Sequence, residues 1–157
     1  MKIKEESIVK PLPDEELFIE FEDNYELQLP DEYKMFMKRY NGAIPLSKYF
    51  SAHGNEYVVE RFLCMLESPR ADAENGGYDI EVILAQIDTR LVDDGDMVGI
   101  NMVPIAALFA GDFLCLDYRK TSNPQICVWF HEESEELSPV TKDVATSFGE
   151  FLKMLKE

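Results

Sequence analysis

The stretch over residues 29–42 constrains the fold most, because a helix start, a helix face and a helix end can all be read from it. Pro30 suits the first helical position, where a missing N–H costs nothing, and two acidic residues follow it in the first turn, where the helix dipole favours negative charge. Large side chains then recur at i, i+3, i+4 and i+7: Tyr33, Phe36, Met37 and Tyr40. Asn41 and Gly42 tolerate the left-handed backbone that ends a helix. The stretch therefore predicts an amphipathic helix with one buried aromatic face.

The other apolar patterns predict helices that flank a group of strands instead of alternating with them. Helical spacing covers residues 14–23, 80–91 and a last helix that starts near Thr141 or Asp143, with Val144, Phe148, Phe151, Leu152 and Leu155 on one face. Strand patterns cover 57–66, 98–105, 113–118 and 125–130, the last two forming a hairpin, while 45–55 reads as irregular. This order predicts an α+β fold, a mainly antiparallel sheet with flanking helices, in a single domain over residues 1–157.

Charge is the second strong constraint, with 15 basic against 31 acidic residues and a formal net charge of −16. Nucleic-acid binding demands the opposite sign and is therefore disfavoured. Acids cluster between residues 11 and 32, at Asp93, Asp94 and Asp96, and at Glu132, Glu133, Glu135 and Glu136. Such clusters either keep a protein soluble or match a basic protein partner and speed its association, and both alternatives stay open.

Aromatic residues in or beside irregular segments are candidates for exposed anchors in such a contact. Tyr49, Phe50 and Phe109 fit that description. Trp129, the single tryptophan, lies in an apolar strand pattern and is predicted to pack in the core.

The sequence lacks the usual signatures of catalysis and of metal binding. No phosphate-binding loop, dinucleotide-binding, serine-hydrolase or zinc-protease motif occurs, so we expect neither a cofactor nor a metal. Cys64, Cys115 and Cys127 lie in apolar runs and are predicted to be buried hydrophobes. Asp112 and Asp117 could in principle form an acid–base pair, but a turn role for the first and loop-amide bonds for the second are the predicted roles. No apolar leader or membrane-length segment is present, so we expect a cytoplasmic protein without a membrane partner.

Several motifs in a fixed order resemble the SUKH superfamily over about residues 16–155. They are Leu29, Pro30, Tyr33, Phe36, Asn41 and Gly42, then Pro104 and Ile105, Gly111, Asp112 and Asp117, and finally Phe148, Phe151 and Leu152. That superfamily includes fungal cell-wall assembly regulators of the Smi/Knr type and bacterial immunity proteins that neutralise toxins. The resemblance implies the same α+β architecture and a binding scaffold without shared catalytic residues.

Resemblance and charge together favour a non-enzymatic immunity protein that binds a basic toxin domain. Many intracellular toxins act on nucleic acid and are therefore basic. The alternative is a regulatory or scaffold module that binds an endogenous protein, and an enzyme of unrecognised type is the third reading.

Overall fold

A computed structural model describes residues 1–95 and 100–157, and within them the chain forms four α-helices and eight β-strands. The helices are α1 (Glu15–Tyr25), α2 (Asp31–Tyr40), α3 (Ile80–Ile87) and α4 (Phe148–Met154). The strands are β1 (Ile3–Lys4), β2 (Ile44–Pro45), β3 (Tyr49–Ala52), β4 (Asn55–Phe62), β5 (Met102–Leu108), β6 (Phe113–Asp117), β7 (Gln125–Trp129) and β8 (Thr141–Ala145).

Strands β3 to β8 form one six-stranded antiparallel sheet in which each strand pairs with the next along the chain. In the central β6–β7 hairpin Cys115 lies opposite Cys127, and Leu116 lies opposite Ile126. Successive residues point to opposite faces of a sheet, and all four of these side chains are buried. Both faces of the hairpin are therefore covered, and the α+β class expected from the sequence is confirmed.

The two edge strands of this sheet are brought close to each other. Helix α4 packs against both β3 and β8. Beyond α4, Lys156 exchanges two backbone hydrogen bonds with Tyr49 of β3, at 2.8 and 3.0 Å. The ring of His53, at the β3–β4 turn, bonds the carbonyl oxygen of Asp143 in β8 at 2.5 Å. A carbonyl can only accept, so Nε2 of His53 carries the proton.

Helix α2 packs as its sequence pattern predicts. Tyr33, Phe36 and Met37 are buried, and the ring of Phe36 lies 4.7 Å from that of Phe62 and 5.1 Å from that of Phe148. The start differs by one position, since Pro30 is the residue before the helix and not its first residue.

Two predicted segments are wrong. Residues 141–145 form strand β8, not the start of the last helix, because they pair with β7 at the sheet edge. Helix α4 begins only after Ser147, whose hydroxyl accepts the N–H of Glu150 at 3.1 Å and so caps it. The stretch over 45–55 is also not irregular, because β3 lies within it and pairs with β4 through a turn at His53 and Gly54.

Other boundaries shift by a few residues. Strand β4 ends at Phe62, four residues earlier than predicted, because Leu63 bonds Ile105 while Cys64 turns to bond Tyr78. Helix α3 ends at Ile87 and a 3₁₀ turn over Asp88–Arg90 continues it. The predicted 98–105 strand starts outside the described residues, and its described part is β5.

Candidate partner-binding surface

A groove of about 530 Å³ opens between the last turn of α1 and the outer face of α3. We call it the Tyr25 groove and define it by Tyr25, Glu81, Leu84, Asp88 and Leu137. Glu81, Leu84 and Asp88 occur at i, i+3 and i+7, which places them on one face of the helical segment. Leu84 is buried and forms part of the floor, whereas the two acids are exposed at the rim. The groove therefore combines an apolar floor with an acidic rim.

The loop over residues 131–140 is hydrogen-bonded to the 3₁₀ turn that follows α3, and its Leu137 forms another wall of this groove. The N–H of Leu137 donates to the carbonyl of Thr89 at 2.8 Å. The guanidinium of Arg90 donates to the carbonyl of Ser134 at 2.9 and 3.1 Å and also to that of His131. Trp129 donates its indole N–H to the carbonyl of Arg90 at 2.9 Å. These bonds tie the loop that carries one acidic cluster to the turn that carries the groove acid Asp88.

The electrostatics of the groove are consistently negative. Burial raises the pKa of Glu81, and the charges of Asp79 and Glu20 raise it further. Burial together with the charges of Glu81, Asp79 and Asp88 raises the pKa of Tyr25 to about 12. Burial is the larger cause of both shifts, and the neighbouring negative charges add to it in the same direction.

The predicted binding residues have different positions in the structure. Glu132, Glu133, Glu135 and Glu136 are exposed on the fastened loop. Asp93 is also exposed, and Asp94 lines the Tyr25 groove. Asp96 lies outside the described residues.

The predicted aromatic anchors differ in how exposed their side chains are. Phe50 was expected to be exposed and this is wrong: it is 1% exposed, because its ring stacks on Tyr57 at 5.1 Å and meets Phe151 at 5.2 Å. Tyr49 is half-buried in β3. Phe109 is 69% exposed, as expected, and Trp129 is fully buried, as expected.

The sequence does not indicate that one site contains Tyr25, Glu81, Leu84, Asp88 and Leu137. The groove arises only when α1, α3 and the 131–140 loop pack together, and these segments are far apart in the chain. The one local signal was a pair of acids seven residues apart, Glu81 in α3 and Asp88 directly after it, beside the apolar face of the helix.

A comparison with known protein families agrees with the fold. The family model SUKH_6, described as SMI1-KNR4 cell-wall, matches residues 15–152. This chain belongs to the SMI1-KNR4 family. The SPbeta prophage-derived uncharacterized protein YokK of Bacillus subtilis (strain 168) is 30% identical over 141 residues, which cover 85% of this chain and 69% of that relative.

The motifs that carry the SMI1-KNR4 resemblance lie mainly in the core. Buried members are Leu29, Tyr33, Phe36, Asn41, Gly42, Pro104, Ile105, Asp117, Phe148 and Phe151, while Pro30, Asp112 and Leu152 are half-buried and Gly111 is exposed. They hold the architecture together and do not line the Tyr25 groove.

Asp112 and Asp117 have the structural partners that the sequence predicted. Asp112 accepts the N–H of His131 at 2.8 Å beside the positive-φ Gly111. Asp117 accepts the backbone N–H of Arg119 at 3.0 Å and its guanidinium at 2.9 Å. Burial opposes ionisation of Asp117, but the bonds from Arg119 lower its pKa overall. Each carboxylate thus accepts a hydrogen bond from a backbone N–H. No hydrogen bond joins Asp112 to Asp117 in the described structure.

The cysteines are unsuited to nucleophilic chemistry. All three are free and buried. Burial, helped by the charge of Asp79, raises the pKa of Cys64 to about 12, and burial also raises that of Cys115. Since the thiolate is the nucleophile, these shifts keep both thiols unreactive.

Residues 1–95 and 100–157 contain no group of three or more His, Cys, Asp or Glu side chains placed to hold a metal ion. None of their helices has the length and apolar character needed to cross a membrane.

Proposed function

We propose that this chain is a non-enzymatic, cytoplasmic immunity protein that binds a cognate toxin domain and neutralises it. The observation that carries the proposal is the acidic groove on α3 with the acidic 131–140 loop fastened beside it. An interface of this sign suits a basic partner, and toxins that act on nucleic acid are commonly basic because their substrate is an anion. An acidic protein that covers such a substrate-binding surface would block the toxin and also associate with it rapidly.

Membership of the SMI1-KNR4 family supports a binding scaffold of this kind. The relative described as prophage-derived is consistent with a gene carried on a mobile element, a setting in which toxins and their antidotes occur together. The family description also names the cell wall, which favours the second candidate: a regulatory module that binds an endogenous protein without neutralising it.

Capture followed by a growth assay distinguishes the two candidates. The tagged chain is purified from its native cell, the bound protein is identified by mass spectrometry, and that protein is expressed in a laboratory bacterium with and without this chain. We expect the partner alone to stop growth and co-expression to restore it. A partner that is harmless alone would refute immunity and favour the regulatory module.

A charge reversal checks that protection depends on the acidic loop. The variant carries Lys at Glu132, Glu133, Glu135 and Glu136, and the matched control carries Lys at four other exposed acids, Glu5, Glu56, Glu67 and Glu74. We expect the loop variant to protect poorly and the control to protect as the wild type does. Equal protection by both would remove the acidic loop from the interface.

A further inference from the structure

The Tyr25 groove has a shape that admits side chains from a partner. Its volume of about 530 Å³ lies within the range of sites that hold small ligands or several side chains. Tyr25 and Ile100 also border a second hollow of about 650 Å³, which is lined by the acids Asp23 and Glu26. A half-buried tyrosine therefore lies between two acidic hollows, in the central position that binding hot spots favour.

The charges in the groove define the chemistry of its occupant. Glu81, Asp88 and Asp94 line it, and no Lys or Arg does so among the described residues. The seven ion pairs found in the described structure use other acids and leave Glu81 and Asp88 without a cation. A cation from outside would offset the repulsion that Asp79 and Glu20 exert on Glu81, and it could also stack on the face of the Tyr25 ring.

A second copy of this chain is a poor occupant for the same reason. Each copy carries a net charge of −16, so pairing two acidic grooves would bring like charges together. Leu137, which is 42% exposed in the wall of the groove, also indicates more than a simple ion, because exposed apolar surface gains stability when apolar groups cover it.

Resting on the proposed function, we infer that the Tyr25 groove binds a basic amphipathic segment of the protein partner. An arginine or lysine side chain of that segment lies over Tyr25 between Glu81 and Asp88, and a neighbouring apolar side chain covers Leu137. The segment is recognised by this pairing of one cation with one apolar group, not by the total charge of the protein.

The test uses the full chain and a synthetic probe. The probe is an amphipathic helical peptide of arginine and leucine, about 14 residues or roughly four helical turns long. A second peptide has serine in place of leucine and keeps every charge. Binding is followed by two-dimensional ¹H–¹⁵N NMR, which also locates the contact.

We expect the largest shifts at the amides of Tyr25, Leu84, Asp88 and Leu137, and weaker binding of the serine peptide. Replacing Glu81 and Asp88 by Gln should weaken binding about tenfold, the effect of about 1.4 kcal/mol. Replacing Glu56 and Glu74 by Gln removes the same charge elsewhere and should change affinity less than twofold, since screened charges outside a contact contribute little.

Three results would overturn the inference: no binding, shifts centred on another surface, or equal weakening by the control pair. The outcome is separate from that of the growth assay. If the chain neutralises a toxin but replacing Glu81 and Asp88 does not change the affinity, the groove inference is refuted and the immunity function stands. If the peptide binds in the groove but the native partner is harmless, the immunity function is refuted and the groove inference stands.

Discussion

At the scale of single residues, Asn41 and Gly42 show why a short motif can matter more than its length suggests. The Asn41 amide donates to the carbonyls of Val9 and Met65 at 3.3 and 3.2 Å and accepts the N–H of Met65 at 2.8 Å. Gly42 follows with φ of +65° and accepts the guanidinium of Arg61 at 2.7 Å. The pair therefore ties the N-terminal segment, the end of α2 and the β4–α3 connection together inside the core.

Gly42→Ala tests this packing. A Cβ at Gly42 would lie 2.6 Å from Cγ2 of Val9 and 2.9 Å from Cβ of Cys64, in a backbone conformation that side chains disfavour. We expect a loss of roughly 2–4 kcal/mol in the free energy of unfolding, measured by urea denaturation. Gly54→Ala is the control: its φ is +76° but its surroundings are open, so a loss of only about 1 kcal/mol is expected. Equal losses would show that backbone strain alone matters at Gly42.

Glu81 gives a pH-dependent prediction for the groove. Its pKa in the folded protein lies above the ordinary value of 4.5, so its favourable contribution to stability is complete below pH 4.5 and is lost as the pH rises through the folded pKa. Gln cannot ionise. Glu81→Gln should therefore be more stable than the wild type at neutral pH, by about 0.5 kcal/mol for an exposed, solvent-screened group.

Thermal unfolding of the wild type and Glu81→Gln across a pH series checks this sign. The advantage of the variant should disappear well below pH 4.5, where the wild-type carboxyl is protonated in both the folded and the unfolded state. A variant that is less stable at neutral pH would mean that Glu81 has a favourable partner in the folded protein.

At the scale of elements, helix α2 is the clearest case in which local pattern and tertiary packing agree. Phe36→Ala should cost roughly 3–5 kcal/mol, because the ring is 6% exposed and contacts both Phe62 and Phe148. Met35 on the same helix is 69% exposed, so Met35→Ala should change the free energy of unfolding by less than about 0.5 kcal/mol. A small loss at Phe36 in urea denaturation would contradict its assigned position in the core.

Elements with strong local patterns were predictable from sequence, and those that depend on distant partners were not. The spacing of Phe36 and its neighbours, and the apolar runs of β6 and β7, specify a helix and a hairpin by themselves. Val144 fitted the apolar spacing of α4, yet it lies in β8 because residues 141–145 pair with β7. Phe50 lies in a segment rich in turn residues, but rings of Tyr57 and Phe151 bury it. The Tyr25 groove was unpredictable for the same reason, since three distant segments form it.

At the scale of the whole molecule, negative charge is the property of the surface that best indicates the kind of partner. The sheet is covered on both faces in its centre, and its edges are joined by α4 and by the Tyr49–Lys156 pairing. Little strand edge is therefore left uncovered for another chain to pair with. Contact with a partner through side chains on helices and loops is favoured instead. The acids on α3 and on the 131–140 loop are the described surface that fits this requirement best.

We propose that this acidic surface guides a basic partner to the chain. The sharpest test is stopped-flow association of the captured partner with the wild type, the loop-reversal variant and the matched reversal control across a salt series. The field of the protein is screened over about 10 Å at 0.1 M salt, so we expect the wild-type association rate to fall steeply as salt rises. The reversal of Glu132, Glu133, Glu135 and Glu136 should slow association more than the control reversal does. Rates that are independent of salt and unchanged by both reversals would contradict the claim and leave the net charge of −16 with a role in solubility alone.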